Sequence, residues 1–190
     1  VAVTGVQTCA LPISAVGLTP GRPREDPAVL RRRLRLEHDR HRTVLVGFGG
    51  MGLAVEPTLF EAWPEHHFLA ADPGLDCGAS NLTRIPGDLR PLEVMPLCGR
   101  ILTKPGYSTY CEAMAAGVGI QLVRREGFAE APVLEQALRR HSWHRLISRH
   151  QLQQGDWQLD QPLLPPTGTP LPDGGDDQAA LRLQELAFGH

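Results

Sequence analysis

The chain has 190 residues, 42% of them hydrophobic and 21% charged, with a net charge of −2. That composition suits a globular domain with its own core, and the near-neutral balance gives no global field toward nucleic acid or an anionic membrane. No apolar run approaches the ~20 residues of a membrane-crossing helix, and cysteines without C-x-x-C spacing point to a reducing, cytoplasmic setting.

Residues 1–14 stand apart. Within them, residues 3–13 read V-T-G-V-Q-T-C-A-L-P-I, which looks like a translated sequencing adapter; Thr4, Gln7 and Thr8 break any secretory apolar stretch. The expectation is an artefact here and a missing upstream domain. Residues 15–42 hold Pro20, Pro23 and Pro27, then the run Arg31-Arg32-Arg33-Leu34-Arg35 with Arg40 and Arg42. They read as a linker with one short helix whose arginines face solvent.

The domain proper is expected over 43–150. Short apolar runs predict strands at 43–48, 67–71, 82–85, 100–102, 120–123 and 145–147. Helices are predicted between them: a short one from Pro57 to about Trp63, then 91–97, one running through Met114 to Ala116, and 131–139 with Val133, Leu134, Ala137 and Leu138 on one face. This alternation implies an α/β, Rossmann-like parallel sheet with helices on both faces. Residues 151–176 are rich in Pro and Gly and are expected to be flexible. The final segment, 177–190, carries a helix over 178–188, capped by Asp176 or Asp177, with Leu181, Leu183 and Leu186 on its apolar side.

Two glycine-bearing turns carry the chemistry. Gly47-Phe48-Gly49-Gly50-Met51-Gly52 satisfies G-x-G-x-x-G directly after a strand, and Asp72 follows the next strand at about the distance a dinucleotide's ribose requires. Pro57 opposes that reading, because it falls where the cofactor helix should be uninterrupted. An NAD(P)-dependent oxidoreductase, a phosphate-approaching loop of another nucleotide site and a plain strand-to-loop turn all remain open here.

The second turn is Thr103-Lys104-Pro105-Gly106-Tyr107-Ser108-Thr109-Tyr110-Cys111-Glu112-Ala113. Pro105 and Gly106 reverse the chain, and Ser108 or Thr109 can cap the following helix. Its unpaired N–H groups and positive dipole end then face the loop, a setting that favours phosphate. Lys104 stands at the mouth as a point charge, and Glu112 lies one turn into the helix, where a carboxylate can accept two ribose hydroxyls.

The run K-P-G-Y-S-T-Y-C-E-A-M-A-A-G resembles the donor-binding signature in the C-terminal domain of GT-B fold glycosyltransferases, such as plant UDP-sugar transferases and the bacterial peptidoglycan N-acetylglucosaminyl transferase. A similar turn occurs in the glycosyltransferase-like domain of plant arabinokinase. The resemblance implies one half of a GT-B architecture that binds a nucleotide-diphosphate sugar, a UDP-sugar first, for transfer to an acceptor held by an absent N-terminal domain. It implies donor contacts from Lys104, Gly106, Ser108 and Thr109 at the diphosphate, from Glu112 at the ribose, and from Gly49 and Gly50 near the phosphates or sugar. Lys104 stands where the plant enzymes have histidine.

The resemblance also puts Arg125 and Glu130 in the loop facing the donor sugar, where the plant enzymes show Asp-Gln. A surface charge for Arg125 and a helix cap for Glu130 remain equally open. The nucleotide base is implied near Ile85 and Pro86. No catalytic residue is assigned, because the general base of such enzymes usually comes from the other domain. Neither a cofactor nor a metal is expected, since His66-His67 and His141-Ser142-Trp143-His144 lack completing ligands. A non-catalytic nucleotide-sugar-binding module is the other alternative.

Overall fold

Six short apolar runs form strands that lie side by side, all parallel: β1 (Thr43–Gly47), β2 (His67–Ala70), β3 (Leu82–Arg84), β4 (Arg100–Thr103), β5 (Gly119–Val123) and β6 (His144–Ile147). The computed structural model describes residues 16–49, 55–72, 75 and 78–188. Residues 1–14, Gly50, Met51 and Gly52 fall outside the described residues.

Successive side chains of a strand point to opposite faces, so each apolar run feeds two cores. Leu45, Leu69, Ile101, Ile120 and Leu122 form one layer with Leu134 and Leu138 of α5 (Ala131–His141) and Tyr110 of α4 (Tyr107–Ala115). Val44, Val46, Phe68, Leu102 and Val123 form the other, with Phe60 of α2 (Thr58–Glu61) and Trp157. All five residues of β5 are buried, as a strand covered on both faces requires. The α/β reading therefore holds.

Strand order is β3-β2-β1-β4-β5-β6. The chain builds outward from β1 through β2 to β3, then returns to β1's other side with β4. Where strand order reverses in an open parallel sheet, the loops leaving the two central strands diverge and open a crevice at their carboxyl ends. Here those strands are β1 and β4, and the two loops are the glycine-bearing turns.

Residues 16–42 pack against this domain. Asp26 caps α1 (Pro27–Arg33), its carboxylate accepting from the N–H groups of Ala28 and Val29 at 2.7 and 3.1 Å, with Pro27 in the first turn. Leu30, Leu34 and Leu36 enter the first core layer. Arg32 and Arg35 face solvent, while Arg31, Arg33 and Arg40 act as ties. Arg33 pairs with Asp88 at 2.8 Å, Arg31 donates to the His38 carbonyl, and Arg40 donates to the carbonyls of Ala116 and Gly117 at 2.9 and 3.0 Å.

The Pro/Gly-rich stretch is also held. Trp157 is fully buried, edge-on to Phe60 and Phe68, and its indole N–H donates to the Leu152 carbonyl of α6 (Arg149–Gln153) at 2.9 Å. Leu164 pairs with His144 in an antiparallel bridge. Further on, Leu18 N–H donates to Pro172 O and Gly175 N–H to Leu18 O, each at 2.8 Å, so the two ends of the described chain clasp each other. The last helix, α7 (Gly175–Phe188), starts ahead of Asp176 and Asp177, which occupy its first turn, and leaves Leu181, Leu183, Leu186 and Phe188 exposed.

Candidate functional site

The register of β1 against β4 sets the site. Gly47 lies opposite Thr103, whose hydroxyl donates to the Gly47 carbonyl at 2.7 Å, so both strands end at the same level. Two residues on, Gly49 adopts φ +56°, a left-handed conformation that glycine takes without steric cost. A Cβ there would stand 3.6 Å from Lys104 Nζ, so the ammonium lies against the Gly49 backbone. Sequence places these two residues in separate motifs; the sheet makes them neighbours.

Gly106, extended at φ −170°, holds the cap position of α4, and no side chain caps this helix. That corrects the expectation for Ser108 or Thr109. Both already sit in the first helical turn, where their backbone is no longer extended as a cap requires. The consequence favours a ligand. The first intrahelical bond runs from Tyr110 N–H to Gly106 O, so the N–H groups of Tyr107, Ser108 and Thr109 have no partner within the helix.

Two clefts flank the Gly49–Lys104 contact. The smaller, about 380 Å³, has an apolar floor of Leu45, Met95, Ile101 and Leu92 and is rimmed by Gly47, Gly49, Thr109, Glu112 and Arg90. Glu112 is half-buried, and burial raises its carboxyl above the ordinary glutamate range while Arg90 opposes the shift. The Arg90 side chain is itself fixed. Its guanidinium donates to Glu93 through Nε at 2.8 Å and through a second, shorter contact, and it also reaches the Arg22 carbonyl at 3.0 Å. Glu93, in α3 (Pro91–Val94), is 3% exposed and also accepts from the backbone N–H groups of Arg24 and Glu25, at 2.6 and 3.2 Å. Burial pushes the Glu93 carboxyl up, and these donors more than offset it, so its pKa falls below the ordinary value. Residues 17–25 thus form a strap along the small cleft, and a Cβ on Gly21 would come 3.3 Å from Glu112 Oε1.

The larger cleft, about 910 Å³, is lined by Lys104 after β4, by Arg124, Arg125 and Glu126 after β5, by Ser148, Arg149 and His150 after β6, and by Glu135 of α5. Lys104 and Glu112 therefore line adjoining clefts rather than one, with Gly49 at the junction. Ser108 and Gly106 line neither cleft. Arg125 lines the larger cleft with its guanidinium 4.7 Å above the Phe128 ring. Glu130 is exposed, lines neither cleft, and stands at the N-cap of α5 without a side-chain capping bond. Ile85 uses its N–H on the Ala70 carbonyl, which removes it as a donor to a nucleotide base; the small cleft presents Arg90, Pro91 and Leu92 on that side.

Several of these residues carry no sequence motif. Arg90 and Glu93 are visible only through their mutual contact. Ser148, Arg149 and His150 could have been found by asking which residues follow each predicted strand, since a parallel sheet gathers all such residues on one edge.

A dinucleotide site of the G-x-G-x-x-G type needs a helix opening directly on its last glycine. The described chain is non-helical at Val55 and Glu56, and α2 begins only at Thr58. Of His66, His67, His141 and His144, three are engaged locally: His67 Nε2 with Thr83 Oγ1 at 3.0 Å, His141 Nδ1 with the Thr169 carbonyl at 2.7 Å, and His144 Nδ1 with the Ser142 carbonyl at 2.9 Å. The buried His66 Nδ1 has no hydrogen-bond partner among the described residues. Among the described residues no helix is long and apolar enough to cross a membrane.

No protein-family model matches the sequence, and no curated protein matches it at a significant level. Solved structures do. Arabidopsis thaliana UGT89C1 complexed with quercetin superposes with a TM-score of 0.53 at 20% identity, over 75% of this chain and 38% of that one. The spinosyn forosaminyltransferase SpnP gives a TM-score of 0.50 at 16% identity, over 73% of this chain and 39% of its own. The fold is that of one half of a GT-B glycosyltransferase. At these identities the likeness is one of fold, and the chain spans about two-fifths of the length of both structures. In that GT-B half the crevice between β1 and β4 is where the fold leaves room for a ligand.

Proposed function

We propose that this chain is the donor-binding part of a glycosyltransferase that takes a nucleoside-diphosphate sugar, a UDP-sugar first. The observation that carries the reading is the junction at Gly49, with the Lys104 ammonium on one side and the cleft of Glu112 and Thr109 on the other. The diphosphate lies over the Gly49 turn, held by Lys104, by the free N–H groups of Tyr107, Ser108 and Thr109 after Gly106, and by the hydroxyls of Ser108 and Thr109. Glu112 accepts the ribose hydroxyls, and the base enters between Arg90 and Leu92. Arg125 borders the sugar; Glu130 does so only if its loop closes inward.

Catalysis on this reading is electrostatic. A fixed cation beside the leaving diphosphate neutralises charge as the glycosidic bond breaks, without proton transfer from this half. The acceptor and general base belong to a further domain, so the chain alone binds donor but transfers little. The shared fold with a plant enzyme crystallised with quercetin and with a forosaminyltransferase supports the reaction class. In the same reading residues 43–150 form the nucleotide-sugar-binding domain, 15–42 lead into it, 151–176 connect it to the helix of 177–190, and the protein works in the cytoplasm.

Calorimetric titration with UDP, GDP and NAD tests this. UDP should bind best, with affinity lost in Glu112→Ala and reduced in Lys104→Ala. Tighter binding of NAD would return the oxidoreductase reading, and joining an acceptor domain without gaining transfer would favour a non-catalytic module.

A further inference from the structure

The larger cleft is charged in a way that a neutral sugar does not require. Lys104, Arg124, Arg125 and Arg149 supply four cations against the two carboxylates Glu126 and Glu135. Glu135 is already engaged by Arg124, 3.4 Å away. Among the described residues no carboxylate lies within ion-pair distance of Lys104, Arg125 or Arg149. Elsewhere in the molecule most arginines are tied down: Arg31, Arg33, Arg40, Arg42 and Arg90 all donate to carbonyls or carboxylates. Arg24, Arg32, Arg35, Arg139 and Arg140 also lack such a partner among the described residues, but of these untied arginines Arg125 and Arg149 are the two that line this cleft.

Position separates these cations from the diphosphate. Lys104 follows β4, Arg125 follows β5 and Arg149 follows β6, and neighbouring strands lie roughly 5 Å apart. The backbones at the two arginines therefore leave the sheet about one and two strand spacings from the backbone at Lys104, roughly 5 and 10 Å. That is the span of a sugar ring and its substituents. Arg125 is braced on the Phe128 ring, which limits the freedom it must lose on binding.

We propose that this cleft takes a sugar carrying a carboxylate, with Arg125 and Arg149 as its specificity-determining cations. The inference rests on the nucleotide-sugar reading above. A guanidinium presents paired N–H donors that match a carboxylate's two oxygens, which a neutral hydroxymethyl group cannot engage equally. The carboxylate sugar can arrive as the transferred group of the donor or as the acceptor.

Calorimetry on the full 190-residue chain separates the sources. One arm compares UDP, UDP-glucose and UDP-glucuronate; the other adds glucuronate or glucose to the chain saturated with UDP. If the donor supplies the carboxylate, UDP-glucuronate binds roughly tenfold more tightly than UDP-glucose, the size expected of a hydrogen bond to a charged group. That ratio then falls to near one in Arg149→Gln and in Arg125→Gln. If the acceptor supplies it, glucuronate but not glucose binds the UDP-saturated chain, and the same variants abolish the difference. Both substitutions lie outside the core, and using a ratio within each variant removes any general change in affinity. UDP binding with both comparisons level, or a preference that survives both variants, overturns the proposal. Failure of UDP to bind at all sinks the nucleotide reading, and this inference with it.

Discussion

The cleft at Glu112 and the cleft at Arg149 open on the same edge of the sheet, yet they are built by opposite means. The first is narrow, floored by buried Leu45, Met95 and Ile101, and its one carboxylate is backed by a strap fastened to Glu93. The second is wide, and its charge sits on loops and on the first residues of α6. A narrow apolar-floored cleft discriminates by shape and by hydrogen bonds strengthened in low dielectric. A wide cationic one discriminates by charge, and salt weakens it. The same protein edge therefore offers two independent kinds of selectivity, joined at Lys104.

The largest expected effect breaks the support of the narrow cleft. Removing the buried carboxylate leaves the half-exposed Arg90 and two backbone N–H groups without their acceptor, so Glu93→Ala should cost about 1–3 kcal/mol of stability in urea denaturation. An unchanged midpoint would show that Glu93 does not hold the strap. Next comes Glu112→Ala, which should weaken UDP binding by roughly 10- to 100-fold, the loss of hydrogen bonds to an ionised acceptor. The preference among sugars measured in the other cleft should persist, and its collapse would mean the two clefts are not independent. Lys104→Ala follows, lowering UDP affinity roughly tenfold and flattening its salt dependence, because one charge contact with phosphate is gone.

Smallest is a pH effect in which the two glutamates are displaced in opposite directions, so that both losses come on acidification but at different pH. Glu112 has its pKa raised by burial, so UDP affinity should fall as acid passes through a value above the ordinary 4.5, and Glu112→Gln should remove that step. The Glu93 pKa is lowered, so its stabilisation is present above 4.5 and is lost only as pH falls further, through the folded value. Titrating binding and unfolding separately distinguishes them: a single shared transition would contradict the separation.

How much of this the sequence displays depends on the range of the interaction. β1 and β5 are legible because uninterrupted apolar runs of strand length have no other way to be buried on both faces. The turn at Lys104 is legible because Pro105 and Gly106 punctuate the chain locally. The cap of α4 is misread by two or three residues, since Gly106 competes with Ser108 and Thr109 and only the backbone decides. The strap is hidden for a different reason. Residues 17–25 are rich in Gly, Pro and Arg and look like linker, and what fastens them is Glu93, far along the chain. The division of the edge into two clefts was equally invisible, because spacing puts Lys104 and Glu112 in one motif and says nothing about the side on which each side chain opens.

The clasp between Leu18, Pro172 and Gly175 links that strap to the far end of the chain. Gly17 N–H also donates to Gln178 Oε1 of α7, at 3.0 Å. Amide exchange at Leu18 and Gly175 should thus rise together, and trimming the tail before Pro172 would unfasten a segment whose Gly21 backbone lies against Glu112. A cut remote from the crevice would in this way loosen the backbone beside Glu112, with every residue of the crevice itself left in place.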